Sequence, residues 1–105
     1  MSDTQERVRK IVEGNKVVLF MKGNKFFPQC GFSARAVDIL RREGATFETV
    51  DILADPEIRQ GAKDYANWPT FPQLYIGGEF IGGSDIMAEL HEAGQLKEKL
   101  ASAVG

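Results

Sequence analysis

VVLFMKGNKFFPQCGFSARAVDIL, residues 17–40, decides the fold. It opens on a continuous run of β-branched, aliphatic and aromatic residues without alternation, which suits a strand covered on both faces by helices. That strand is expected over residues 16–21. A loop ending in Phe26-Phe27-Pro28 follows, and Ala36, Val37, Ile39 and Leu40 then fall at helical spacing. A helix is therefore expected over residues 31–42, ended by Gly44. The junction between strand and helix carries Cys30, the one cysteine of the chain. Either Cys30 is a small buried hydrophobe, as many cysteines are, or it is the reactive atom of the protein.

Outward from this unit the elements alternate. Val8, Ile11 and Val12 mark an amphipathic helix over residues 4–13, closed by Gly14. TFETVDI, residues 46–52, is a second strand. ADPEIRQGAKDYANW, residues 54–68, starts a third helix with Asp55 as N-cap and Pro56 at the first helical position, and sets Ile58, Ala62 and Tyr65 on one face. FPQLYIGGEFIGG, residues 71–83, is two short strands about a Gly77-Gly78 hairpin turn. Ser84 is expected to cap a fourth helix through Ile86, Met87 and Leu90, and Gly94 separates it from a last helix with Leu96 and Leu100. The order α-β-α-β-α-β-β-α-α makes the first two strands parallel and the last two antiparallel. It predicts an α/β protein with a mixed four-stranded sheet flanked by helices, the layout of a thioredoxin-like domain. At 105 residues the chain suits one such domain over its whole length, 1–105.

Thirteen basic and 15 acidic side chains, net charge −2, form no block that would track a phosphate backbone or an anionic membrane. Nucleic acid and membranes are not expected partners. The apolar run of residues 17–21 is far short of the roughly 20 residues a bilayer span takes, and residues 1–14 mix charges without the apolar core of a secretory signal. A lone cysteine excludes an internal disulfide. These features lead us to expect a cytoplasmic protein of a reducing compartment, although a mature organellar chain would look the same.

Position favours a reactive Cys30. At a strand-to-helix junction, where α/β sheets place their ligands, the free N–H groups of the first helical turn stabilise a thiolate, as would Lys22 or Lys25 if the loop folds back. A second redox cysteine would stand three residues on, and Ser33 occupies that place. Ser33 cannot resolve a mixed disulfide, so an outside thiol must do so, in a reducing compartment most often glutathione; Ser33 equally fits a plain early-turn residue. Local sequence favours an ordinary trans Pro72 over a cis Phe71-Pro72 bond, since cis bonds are about 5% of X-Pro bonds. The Gly82-Gly83-Ser84-Asp85 turn is either a carboxylate site built of backbone N–H groups or a simple helix cap. Arg59 and Lys63, four apart on the third helix, either hold a carboxylate or are solvated charges. His91 is expected at the surface. One Cys and one His cannot supply the usual four ligands of a structural zinc, and a [2Fe-2S] cluster, which typically takes four thiolates, would need Cys30 from two chains and two thiols from small molecules.

MKG ahead of PQCGFS, then YANWPTFPQLYIGGEFIGG, then SD, resembles the single-domain monothiol glutaredoxins of the CGFS class, over most of the chain. The resemblance implies a thioredoxin fold that binds glutathione beside Cys30 and assembles a [2Fe-2S] cluster across a homodimer, each Cys30 and each glutathione giving one ligand. Cluster delivery to apo iron-sulfur clients, a role in iron homeostasis and pairing with BolA-like proteins follow from it. By the same resemblance Lys22 faces Cys30 and the glycine carboxylate of glutathione, and Arg59 and Lys63 approach that end, Arg59 more strongly because its guanidinium pairs bidentately. Phe71 gives main-chain bonds through a cis Pro72. The Ser84-Asp85 turn holds the γ-glutamyl end, N–H groups for its carboxylate and the Asp85 side chain for its ammonium. Many members carry GGCD where this chain has GGSD, so Ser84 stands for a second cysteine and an internal disulfide with Cys30 is ruled out. The alternative is a glutathione-dependent oxidoreductase acting on protein-glutathione mixed disulfides through Cys30. A third reading is a redox sensor or interaction module whose Cys30 becomes glutathionylated and whose partner surface is the GFS and WP region, residues 31–33 and 68–69.

Overall fold

The protein is described by a computed structural model that covers residues 2–104. Its elements are α1 (Asp3–Gly14), β1 (Val17–Met21), α2 (Gly31–Arg42), β2 (Glu48–Asp51), α3 (Pro56–Ala66), β3 (Gln73–Ile76), β4 (Glu79–Gly82), α4 (Ser84–Glu92) and α5 (Gln95–Val104). The sheet order is β2-β1-β3-β4. β1 runs parallel to β2 with Val18 opposite Glu48, and antiparallel to β3 with Val18 opposite Tyr75. The chain thus has the thioredoxin-like fold expected of it.

All five residues of β1 are buried because each face of the strand feeds its own core. Val17, Leu19 and Met21 pack with Ala36 and Leu40 of α2, Met87 of α4 and Leu96 of α5. Val18 and Phe20 point the other way, onto Val8 and Val12 of α1 and Ile58 and Ala62 of α3. Full burial of one such aliphatic or aromatic side chain contributes about 1.5–3 kcal/mol, so the strand anchors both helical layers. The hairpin between β3 and β4 turns through Gly77 (φ 59°) and Gly78 (φ 82°), the positive-φ pair that a tight antiparallel connection of matching twist demands.

Several boundaries differ from expectation for identifiable reasons. The second strand shortens to β2, at the sheet edge, while the apolar residues that suggested a longer one, Phe47 and Ile52, are buried just outside it. Gly14 is the last residue of α1 and Asn15 is its C-cap; the Asn15 side-chain amide donates to the Ile11 carbonyl at 2.8 Å. Ser84 is not the cap of α4. Gly83 takes that place, and Ser84 is the first helical residue, 6% exposed. His91 is not a free surface residue: its Nδ1 lies 3.0 Å from Glu43 Oε2, linking α4 to the end of α2, and it is half-buried there. The start of α3 matches, with Asp55 accepting from the Ile58 N–H and Pro56 in the first turn.

Tyr75 sits at the centre of an aromatic group, with ring centroids 5.9 Å from Phe20 and 5.4 Å from Phe80. It is 2% exposed, and its hydroxyl has no hydrogen-bond partner among the described residues. Burial, with a smaller contribution from Tyr65, pushes its phenol up to about 12. A raised phenol favours the neutral form in the folded state. The corresponding stability is whole below the unfolded value of about 10 and is lost as pH rises toward the folded one. Tyr75→Phe removes both the unpaired hydroxyl and this titration, so it is expected to raise unfolding free energy by about 1 kcal/mol at neutral pH. Denaturant melts at pH 7 and pH 10.5 check this, and the gain should be larger at the higher pH.

Candidate functional site

β1 ends at Met21, and the next residues must turn back to start α2. That turn is held by many bonds. The Gly23 N–H donates to Asp51 Oδ1 at 3.0 Å, the Gln29 N–H to the Lys22 carbonyl at 2.9 Å, and Asn24 Oδ1 accepts from the Phe26 and Phe27 N–H groups at 2.8 and 3.1 Å. Gly23 is at φ +86°, and a Cβ there would lie 2.4 Å from the Phe27 carbonyl oxygen. Only glycine fits. Phe26 and Phe27 project from the loop, 69% and 70% exposed, and Phe32 beyond Cys30 is 61% exposed. Together they border Cys30 with apolar surface.

Cys30 is the N-cap of α2 and half-buried. Its thiol is held below the ordinary thiol range, first by the backbone N–H of Ser33 aimed at the sulfur. The Phe32 N–H, the Lys22 charge and the Ser33 hydroxyl act in the same direction, and partial burial opposes them. This is the expected chemistry of a thiol at a helix N-terminus. Ser33 does more than start a helix: it is wholly buried, and its Oγ accepts the Lys22 N–H at 3.1 Å. One hydroxyl therefore joins the end of β1 to the first turn of α2. Lys25 does not reach the thiol. Its Nζ donates to the Phe47 carbonyl at 2.8 Å and lies 5.3 Å from the Phe47 ring centroid.

A cavity of about 540 Å³ opens beside the sulfur. Lys22, Cys30, Arg59, Lys63, Phe71, Pro72, Ser84 and Asp85 all line it. The structure thus brings these eight residues to one cavity and leaves Lys25 outside it. Phe71-Pro72 is cis, where local sequence favoured trans. Three cations are among the lining residues, Lys22 from the loop and Arg59 and Lys63 from α3. The N-terminus of α4 also lines the cavity and presents free N–H groups, a place suited to an anion. Asp85 lies there too, but its Oδ1 already meets the Arg35 guanidinium at 3.0 Å. Sequence reasoning gave no ligand-binding role to Phe32, Trp68, Pro69, Thr70 and Ile86, which also line the cavity; Trp68, Pro69 and Thr70 precede Pro72 in the same WPTFP segment, which was the signal available. A second cavity, of about 570 Å³, lies at the opposite end of β1 between Val17, Phe47 and Leu100. It contains none of these groups.

The electrostatic account makes a direct prediction. The rate of Cys30 alkylation by iodoacetamide against pH should give a midpoint below the ordinary thiol value of about 8.5. Lys22→Gln and Ser33→Ala should each move that midpoint upward, and neither should restore the ordinary value, because the Ser33 backbone N–H survives both changes.

Comparison with known proteins agrees with this geometry. The glutaredoxin family model matches residues 17–81. A ycf64-like monothiol glutaredoxin of Synechocystis sp. is 57% identical over 102 residues, 97% of this chain and 95% of its own length. The chloroplastic monothiol glutaredoxin-S14 of Arabidopsis thaliana is 52% identical over 95% of this chain, which spans only 58% of that protein. Among solved structures, reduced apo GrxS14 of poplar superimposes with a TM-score of 0.84 at 53% identity, covering 95% of this chain and 92% of that one. A buckwheat glutaredoxin in complex with glutathione gives 0.85 at 25% identity, covering 95% and 89%. With one thiol followed by Gly31, Phe32 and Ser33, and relatives of this identity along nearly its whole length, the chain belongs to the glutaredoxin family, among its monothiol members.

Proposed function

We propose that this protein binds glutathione along the cavity beside Cys30 and that two chains together carry a [2Fe-2S] cluster for delivery to iron-sulfur clients. The convergence of one activated thiol, three cations and a free helix N-terminus on a single cavity carries this reading. Glutathione is a tripeptide with a carboxylate at each end, and the cavity that holds the sulfur is lined by three cations and by a helix N-terminus, two kinds of anion-binding group. The buckwheat relative was solved with glutathione bound, which supports the same placement.

In this reading Lys22, Arg59 and Lys63 take the glycine carboxylate. The main chain at Phe71 and Pro72 pairs with the extended tripeptide. The first turn of α4 at Ser84 takes the γ-glutamyl carboxylate, and Asp85 the ammonium. The glutathione thiol then lies next to Cys30.

The donor set suits a shared cluster and not an internal one. No group of three or more His, Cys, Asp or Glu side chains among the described residues could hold a metal ion. Cys30 is one soft thiolate donor, which fits iron-sulfur chemistry but leaves three ligands to come from outside the chain. Two glutathione thiols and a second Cys30 complete four. The exposed Phe26, Phe27 and Phe32 supply apolar contact area that a second chain, a BolA-like protein or a client would cover. Ser33 belongs to the same reading, since a buried, hydrogen-bonded hydroxyl where a resolving cysteine would stand leaves Cys30 free to act as a ligand.

Anaerobic reconstitution with iron, sulfide and glutathione, followed by visible absorption and native mass, tests the proposal. The expected product is a coloured dimer holding two glutathiones. A colourless monomer would overturn the reading. Cys30→Ser should abolish the chromophore, whereas Ser84→Ala should keep it, because backbone N–H groups do the binding at that turn. In calorimetric titration Arg59→Ala should weaken glutathione binding by about tenfold, as loss of a charged hydrogen bond implies, and Lys63→Ala by less.

A further inference from the structure

Asp85, the side chain assigned to the ligand's ammonium, is not waiting empty. Arg35 Nη1 lies 3.0 Å from its Oδ1, a bond that joins residues fifty positions apart on α2 and α4. Both groups are open to water: side-chain exposure is 50% for Arg35 and 85% for Asp85. The pair closes the site end of the seam between α2 and α4, and Glu43 with His91 closes the far end of the same seam.

A guanidinium and a primary ammonium ask the same thing of a carboxylate, namely a cation that donates hydrogen bonds. Arg35 supplies both to Asp85. We propose that Arg35 is an internal competitor at this subsite: a ligand carrying an ammonium beside its carboxylate competes with the Arg35 guanidinium for the charge of Asp85, so Arg35 sets both affinity and charge selectivity there. The inference rests on the glutathione reading and deepens it. It names a residue that reads the γ-glutamyl ammonium indirectly, through another side chain.

The exposed geometry fixes the scale. Solvent-exposed ion pairs are worth about 0.2–1 kcal/mol, so competition changes affinity by up to about fivefold. Its sign distinguishes it from general attraction. Removing a cation from the rim of an anion site weakens every anionic ligand, whereas removing a competitor strengthens only the ligand that bears the ammonium.

The test is isothermal titration of wild type, Arg35→Gln, Arg35→Lys and Arg35→Gln/Asp85→Asn with glutathione and with its desamino analogue, which lacks the ammonium and keeps the carboxylates and thiol. Arg35→Gln should bind glutathione about two- to fivefold more tightly than wild type, and the desamino analogue no more tightly. Arg35→Lys should restore the wild-type ratio, and adding Asp85→Asn should cancel the gain. If Arg35→Gln binds glutathione equally or more weakly, or gains equally for both ligands, the competitor role is overturned while glutathione binding stands. If neither wild type nor Arg35→Gln binds either ligand, the glutathione reading and this inference fall together. Thermal melts guard against misfolding, and the exposed pair should shift them little.

Discussion

Ser33 is where the fold and the site meet. Its buried hydroxyl accepts the N–H of Lys22, at the point where β1 stops pairing and the chain must turn. The same residue gives its backbone N–H to the sulfur of Cys30. Loss of the hydroxyl would leave a partly buried N–H without its acceptor, which costs about 1 kcal/mol, and would loosen the end of β1 from the start of α2. The distance from Lys22 to the thiol depends on that join. So does the direction of the loop that carries Phe26 and Phe27.

Behind Ser33 stands the double burial of β1. A strand that feeds helices on both faces cannot slip by one residue without exchanging Val17, Leu19 and Met21 for Val18 and Phe20 in two different cores. Its register, and hence the position of Lys22, is held by packing on both sides. Asp51 adds a second constraint. From the end of β2 it accepts the Gly23 N–H and the Leu53 N–H on one oxygen, so the parallel neighbour of β1 also steers the loop. The rigid part of the molecule therefore delivers one side of the site, and the helix N-termini of α2 and α4 deliver the other.

The sequence made much of this legible because the decisive signals are local. Unbroken apolar character marked β1, Asp55-Pro56 marked the start of α3, and Gly77-Gly78 marked the hairpin. What it could not reveal depends on partners far away in the chain. Lys22 and Lys25 flank Gly23 almost symmetrically in sequence, yet one faces the thiol and the other is drawn to the Phe47 carbonyl. The positive φ of Gly23 and the bond to Asp51 make that choice. Ser33 has the same local pattern whether its hydroxyl is wet or buried, and only the return of β1 above it decides. Arg35 with Asp85 and Glu43 with His91 are likewise long-range pairs that no helical spacing announces. At Ser84 the miss was of another kind. A serine before an apolar run is the usual cap signal, but the extended Gly83 holds the cap position and the backbone of Ser84 is already helical.

Under the glutathione reading Lys22 serves two anions, the Cys30 thiolate and a ligand carboxylate, and the two uses are coupled. A carboxylate drawn to Lys22 reduces what that charge does for the thiolate, and by linkage the thiolate weakens carboxylate binding by the same factor. The coupling is limited by how the thiol is stabilised. Its largest support is the Ser33 backbone N–H, with the Phe32 N–H behind it, and Lys22 contributes less than either. Those N–H groups point at the sulfur from within α2 and are not shared with a ligand at Lys22. Backbone donors therefore keep the Cys30 thiolate stabilised when the cation is claimed by glutathione. A site relying on Lys22 alone would lose its thiolate at the moment its partner arrived.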